Sequence, residues 1–580
     1  MIVDRLVVVF PGNVFTVAQP VAIYGTEKET SLIVRTTGAG PLNSAGTAPD
    51  PAGNPGTDTA YTVYTYDANG NMTSQSDALA HMTTYVYDHL NRLTSSVDPL
   101  GNAAGATPAD HATTYQYYTW GGRRLLRDPD GYVTLWLYDH DGRVTESDEI
   151  VVGAPYLLVG RNYTYDAAGN VTRKVDRDGR VTKYTYDGLN RQTDEKWFAS
   201  EGATTPLRDI HYSYDDGGQL LSVTDQNNDG DNLSAEYDYE YYGDGNLMNV
   251  FSTLAGIVDE TNQPVPVTLS KLFDHGREAS IEGSVIGSEF DFFNTFDYDA
   301  LGRAIEVFQF GVNGFLGITG NDVAQKGIGL EYNNLGQLTT IERFNGEYEE
   351  VDLLSKSVYG YDKANRLTGI THQDGDEEDP TTIAGYTWTF DKANRVHTFA
   401  NSEHTTESLT YTYDADGQLT HYQMSGFAAY AGSYNYDANG NRTSTSTQVI
   451  TQSSIVHDYT TGLYNRIVTD GLNQYYYDHE GNIIRKVAIV AGNPTGATTK
   501  YTWDFRNRLT AVTQYESYAD YQADDQVSRV TYAYDAFNNM IGRQEFLEGS
   551  TTADKSEHYL YDTSVGGSNQ LVLKLADDGR

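Results

Sequence analysis

The chain has 580 residues, a formal net charge of −41, 47 Tyr, 56 Gly and no Cys. The lack of cysteine excludes disulfide staples, thiolate zinc sites and a cysteine nucleophile, and a polyanion of this size is a poor partner for phosphate backbones or anionic membranes. At 39% hydrophobic residues the chain is too apolar to stay disordered and long enough to bury a sizeable core.

Residues 1–35 hold strand-like apolar runs without a repeat. The run from 6 to 10 is too short for a signal peptide and follows an acid. No stretch approaches about 18 apolar residues, so no transmembrane helix and no membrane insertion are expected. Residues 36–60 are rich in Gly, Pro, Ala and Thr and read as a linker or long loop.

From residue 61 a repeat takes over. Tyr64, Tyr66, Asp67 and Gly70 recur as Tyr85, Tyr87, Asp88 and Asn91, then as Tyr163, Tyr165, Asp166 and Gly169. Clear copies are anchored by Asp67, Asp88, Asp139, Asp166, Asp187, Asp215, Asp299, Asp362, Asp391, Asp414, Asp437, Asp478, Asp504 and Asp535. Asn333 replaces the acid once, and weaker copies surround Trp120, Tyr242, Asp274 and Gly462. Aromatics at i and i+2 share one face of a strand. The Asp opens a turn, and three residues on stands Gly or Asn, the two residues that best tolerate positive φ. That is a hairpin loop with a bulge. A second turn closes each unit, as at Asp98, Asp128 and Asp176. No 3.6-residue period interrupts the alternation, so a single continuous antiparallel sheet with almost no helix is expected.

The regular repeats span 61–224. Residues 225–298 are an irregular repeat region, and repeats resume over 299–580. Within the irregular region Asp225, Asn227, Asp229, Asp231 and Glu236 fit a twelve-residue calcium loop, with Gly230 at its sixth position. The flanks read as strands, not helices, so an elongated polar turn stands beside calcium as a reading. The acidic run 374–379 reads as a solvated loop. No nucleophile-elbow, phosphate-loop or zinc-protease motif occurs, and no enzyme is expected.

The unit resembles the YD repeat of RHS-repeat proteins, a family that includes polymorphic toxins, cocoon components of Tc toxins and teneurins. The resemblance runs over about residues 61–562. It implies a β-sheet strip that spirals as a curved strip or partial shell, enclosing a polypeptide in the toxins and supporting adhesion in the teneurins. The last copy departs from the pattern, with Val565 at the Gly/Asn position. No core or toxin segment is recognisable before Arg580, so the encapsulated polypeptide or C-terminal toxin segment is expected outside this chain. The expected role is a structural scaffold, secreted or at the cell surface. The alternative is a surface module binding glycans or proteins. Calcium is the one cofactor suggested. Taking half the chain as strand gives a sheet of roughly 4,600 Å² and, closed into a sphere, a radius near ~19 Å. That is too small for a folded cargo domain, so an open strip or partial shell is expected.

Overall fold

The computed structural model describes residues 61–150, 158–227, 235–258, 264–274, 276–285, 292–310, 325–347, 350–376, 379–404, 407–425, 430–449, 454–563 and 570–576, and the backbone of six short strands between residues 2 and 35. The linker expected at 36–60 lies outside the described residues. Among the described residues the only α-helix is Tyr518–Ala523, accompanied by three short 3-10 turns. All else regular is strand, and every strand pairing is antiparallel between sequence neighbours or near-neighbours.

One ladder runs unbroken from Tyr24–Thr26 to Ile455–Asp458, and a ten-stranded sheet follows from Thr460–Thr461 to Gln570–Ala576. The expectation of a single continuous sheet is therefore corrected at residue 459. The break falls inside one extended segment: Ile455–Asp458 pairs with the strand before it and Thr460–Thr461 with the strand after it. In the turn that follows, Gly462 occupies the anchor position without a carboxylate, and Gly462 N still donates to Arg466 O (2.7 Å). Tyr464 and Asn465 take positive φ (58° and 60°) instead of one Gly or Asn. The order of strand neighbours leads back towards Tyr24–Thr26, but no register joins that strand to Ile455–Asp458 among the described residues.

The region 225–298 carries the ladder through with longer strands, such as Leu247–Val258 and Pro264–Asp274. Its turn at Tyr242 keeps the repeat geometry, with Tyr242 N donating to Asn246 O and Gly245 N to Tyr242 O.

The strip then coils. Contacts join residues 291 to 337 positions apart along its length, from Leu100 with Asp416 to Lys271 with Asp562. Tips at Asp98 and Asp128 meet tips at Asp416 and Asn439, whereas at Glu195, Tyr237 and Lys271 the later tips reach across the earlier strands. The compact core sits where these two layers overlap, with Ile210, Val223, Tyr237, Val250 and Leu269 on one side and Ala533, Ile541 and Leu560 on the other. Elsewhere, among the described residues, the sheet is a single layer.

Candidate functional site: linked turns and the seam between coils

Each turn is built by its anchor. Asp88 Oδ1 accepts the N–H groups of Leu90 (2.9 Å) and Arg92 (3.0 Å), and Oδ2 accepts Arg92 Nε (2.8 Å). The Arg92 guanidinium and then its backbone N–H hold the Asp88 carboxyl down at about 2. The residue three past the anchor has positive φ throughout, from Gly70 (86°) and Asn91 (61°) to Asn538 (73°). Ionised aspartate accepting several N–H bonds is the lock of the hairpin.

Adjacent units are then bonded to each other. The second aromatic of a unit donates its hydroxyl to the carbonyl five residues past the preceding anchor. Thus Tyr165 donates to Val144 O (2.6 Å), Tyr186 to Val171 O (2.9 Å), Tyr214 to Gln192 O (3.0 Å) and Tyr413 to Val396 O (2.7 Å). Trp503 does the same with its indole N–H to Ile483 O (2.8 Å). The residue four past the anchor adds a second link. Arg191 Nη1 donates to the next anchor's carbonyl, Asp215 O (2.8 Å), while its guanidinium lies 4.7 Å over Tyr214. Arg92, Arg143, Arg395 and Arg508 repeat both contacts. Where that position is Asn, its amide reaches the next unit's Asn, as Asn170 to Asn190 (3.0 Å).

The seam between coils draws repeatedly on one position of the repeat, two past the anchor, beside contacts from other positions. Six consecutive units reach the earlier coil through it. Asp416 Oδ1 accepts Leu100 N (3.1 Å), and Asn439 Nδ2 donates to Asp128 Oδ2 (2.9 Å). The Tyr464 ring lies 5.5 Å from that of Tyr132, whose hydroxyl donates to Gly462 O (2.8 Å). Glu480 accepts Arg161 and the N–H of Arg177 (2.6 Å). Arg506 Nη2 donates to buried Glu195 (2.8 Å), and Phe537 packs edge-on to Tyr237 (5.6 Å). Burial pushes Glu480 up, but Arg161 and the Arg177 N–H outweigh it and hold the carboxyl at about 2. Burial likewise raises Glu195, and Arg506 more than offsets this, leaving it lowered. Arg180 crosses the seam with the within-coil contact, donating to Asp504 O (3.0 Å).

Among metal-ligating types, Asp98, His111 and Asp416 bring ligand atoms within 4.8 Å of one another at the seam. His111 Nδ1 already bonds Asp98 Oδ2 (3.1 Å), and burial followed by the charge of Asp98 raises Asp416. Of the calcium-loop residues, Asp225 and Asn227 lie on the strand Leu220–Asn227, and Glu236 on Ala235–Tyr241. Asp229 and Asp231 fall outside the described residues. Asp225 pairs with Ala235, and Thr224 with Glu236, so Asp225 and Glu236 project from opposite faces of the sheet. Asp225 is buried, and Arg208 engages both its oxygens, Nε on Oδ1 at 2.6 Å. In the acidic run, Asp374 Oδ1 accepts Thr381 N (2.9 Å) and closes a tip.

A one-layer antiparallel sheet of tyrosine–aspartate hairpins, bonded unit to unit and coiled onto itself, defines an all-β YD-repeat scaffold. The chain carries RHS-repeat and YD-shell regions: the RHS Repeat family matches residues 66–103 and 165–195, and the Teneurin YD-shell family matches residues 330–552. Solved structures similar over 95% of this chain include the crystal structure of TcdB2-TccC3-TEV (12% identity, TM-score 0.38), that of TcdB2-TccC3 (12%, 0.35) and the Tc holotoxin pore of Photorhabdus luminescens (12%, 0.31). The chain spans about a third of the length of those chains. No curated protein matches the sequence.

Proposed function

We propose that the strip is a container wall that holds another polypeptide segment, in a secreted or surface-borne protein. The observation that carries this reading is the seam. A single-layer sheet that bonds to itself about 300 residues later is built to surround a space. From one seam contact to its partner the strip passes about 23 to 26 strands. At ~4.8 Å per strand that is a circumference of roughly 110–125 Å and a radius of roughly 18–20 Å. Side chains reduce the inner radius to about 14 Å, below the outer radius of a folded 100-residue domain. The passenger this wall suits is a short or unfolded segment.

A passenger of about 40 residues fused after Arg580, exposed to a protease that digests it when free, tests the reading. Protection of the passenger while the strip stays whole supports it. Prompt digestion of the passenger beside an intact strip overturns it.

A further inference from the structure

We propose that Asp98, His111 and Asp416 form a binding site for a divalent transition ion of the zinc class, which ties the earlier coil to the later one. The site begins with an enlarged second turn. An ordinary second turn returns four residues past its acid, and at Asp77 the residue found there is His81, whose Nδ1 lies 3.0 Å from Asp77 Oδ2. At Asp98 the return is delayed. The histidine that meets this acid is His111, thirteen residues on, at the end of the 3-10 turn Pro108–His111. Asp98 Oδ1 accepts Gly101 N (2.7 Å), and His111 Nδ1 lies 3.1 Å from Asp98 Oδ2. Gly101 is buried, and a Cβ there would stand 2.4 Å from His111 Cβ. The insertion therefore folds tightly against the histidine and fixes where its ring stands.

The third ligand comes from the other coil. Asp416 Oδ1 accepts Leu100 N (3.1 Å) across 316 residues, and the ligand atoms of Asp98, His111 and Asp416 all lie within 4.8 Å of one another. The other Asp416 oxygen accepts no hydrogen bond among the described residues. Elsewhere in the seam a carboxylate from one coil meets a cation or an amide from the other, as Glu480 meets Arg161, Glu195 meets Arg506, Asp562 meets Lys271 and Asp128 meets Asn439. Here two carboxylates meet, and among the described residues neither pairs with a lysine or arginine. Like charges this close repel unless a cation or a proton stands between them. One imidazole nitrogen with two carboxylate oxygens is a donor set for zinc and its neighbours, whereas calcium and magnesium take oxygen ligands. Bonds of ~2.0–2.2 Å in a tetrahedron place ligand atoms about 3.3–3.6 Å apart. The Asp98–His111 pair stands close to that spacing, and Asp416 reaches it with a movement of about 1.5 Å at most. Neutral His111 offers Nδ1 once its proton sits on Nε2, and water completes the tetrahedron. Asp77 and His81 show that an aspartate–histidine contact needs no ion. What sets Asp98 and His111 apart is the third ligand, one coil away. Asp416 opens the run of six seam units, so an ion here fastens the first of them. The unfolded chain holds no such site, so binding favours the closed seam.

Calorimetric titration of the metal-stripped protein with zinc chloride tests the site in the wild type and three variants. The wild type is expected to bind zinc saturably, and cobalt in its place is expected to give the intense visible absorption of a tetrahedral site. Asp416→Asn and His111→Gln are each expected to weaken binding by about tenfold to a hundredfold or more, as the loss of even a residue that orients a ligand does, and to abolish that absorption. His81→Gln removes a histidine that pairs with one acid and is expected to leave both readouts unchanged. Asparagine already stands at the Asp416 position in the units of Asp67 and Asp437, as Asn69 and Asn439, and its carbonyl can still accept Leu100 N. The Asp416→Asn variant therefore keeps its turn, and its circular dichroism should match the wild type. A wild type without saturable zinc binding up to about 100 μM overturns the proposal. So does zinc binding that Asp416→Asn leaves unchanged, because the ion would then sit on one coil alone. So does calcium that displaces zinc at equal concentration.

Discussion

Glu480 accepts Arg161 across 319 residues of chain, and its side chain is wholly buried between the two coils. The pair joins the tip of one unit to a strand of another at a distance in sequence that no local rule reaches. Its folded pKa of about 2 lies below the ordinary glutamate value near 4.3. The stabilisation is therefore fully present above about pH 4.3 and is lost as the pH falls towards 2. Glu480→Gln is expected to lower stability by about 1–3 kcal/mol at pH 7 and to remove that part of the acid sensitivity. Urea unfolding of both proteins at pH 7 and pH 3 checks this. Equal acid losses in the two would assign the sensitivity to other carboxylates.

The hydroxyl ladder lacks a hydroxyl at Phe390, as it does at Phe273 before Asp274. Phe390 stands where other units have Tyr, under the Arg366 guanidinium at 4.6 Å. By the rule that sends Tyr413 to Val396, a hydroxyl at 390 would meet the Leu367 carbonyl. Phe390→Tyr is expected to stabilise the protein by about 0.5–1 kcal/mol, and Tyr186→Phe to destabilise it by about as much. Thermal midpoints of the two variants should move in opposite directions. Movement in the same direction would show that the hydroxyls do not act through these bonds.

The lateral arginine is a geometric part as well as a charge. Arg191 places Nε on Asp187 Oδ2 (2.6 Å), Nη1 on Asp215 O (2.8 Å) and its plane over Tyr214. A lysine has one nitrogen and no plane, so Arg191→Lys is expected to cost about 1–2 kcal/mol, most of the effect of Arg191→Ala. Denaturant midpoints for the pair decide it. A lysine variant as stable as wild type would reduce the arginine to a simple charge.

Much of this fold was legible because the repeat writes its own turn. Tyr64, Tyr66, Asp67 and Gly70 disclose a strand, its face, its turn and its positive φ, and each of those is found. The destinations of Tyr186 and Arg191 were not legible. Both end on backbone carbonyls, which every residue has and no letter marks. The seam was less legible still. Asp416, Asn439, Tyr464, Glu480, Arg506 and Phe537 share a repeat position but no chemistry, because each answers a different neighbour one coil earlier. That neighbour depends on how many strands complete a turn, a property of curvature and not of any unit. The break at residue 459 was not legible, because it falls within one extended segment, between Asp458 and Thr460, and not at a turn.

Calcium at residues 225–236 depends on what Asp225 can release. Arg208 holds both its oxygens and also donates to Tyr534 O (2.6 Å), so the pair ties the earlier coil to the later one. An ion coordinated by Asp225 has to displace a buried guanidinium and leave it unpaired, which costs about 3–5 kcal/mol. It also has to draw Glu236 round from the opposite face of the sheet. A calcium loop would show saturable heat in a calorimetric titration, weakened by Asp225→Ala and by Glu236→Ala alike. With Arg208 in place, Glu236→Ala is expected to leave the titration unchanged. Asp225→Ala is expected to lower stability by about 3 kcal/mol with or without calcium, because it strands Arg208 at the seam. Saturable binding that Glu236→Ala abolishes would show that the loop rearranges to take the ion.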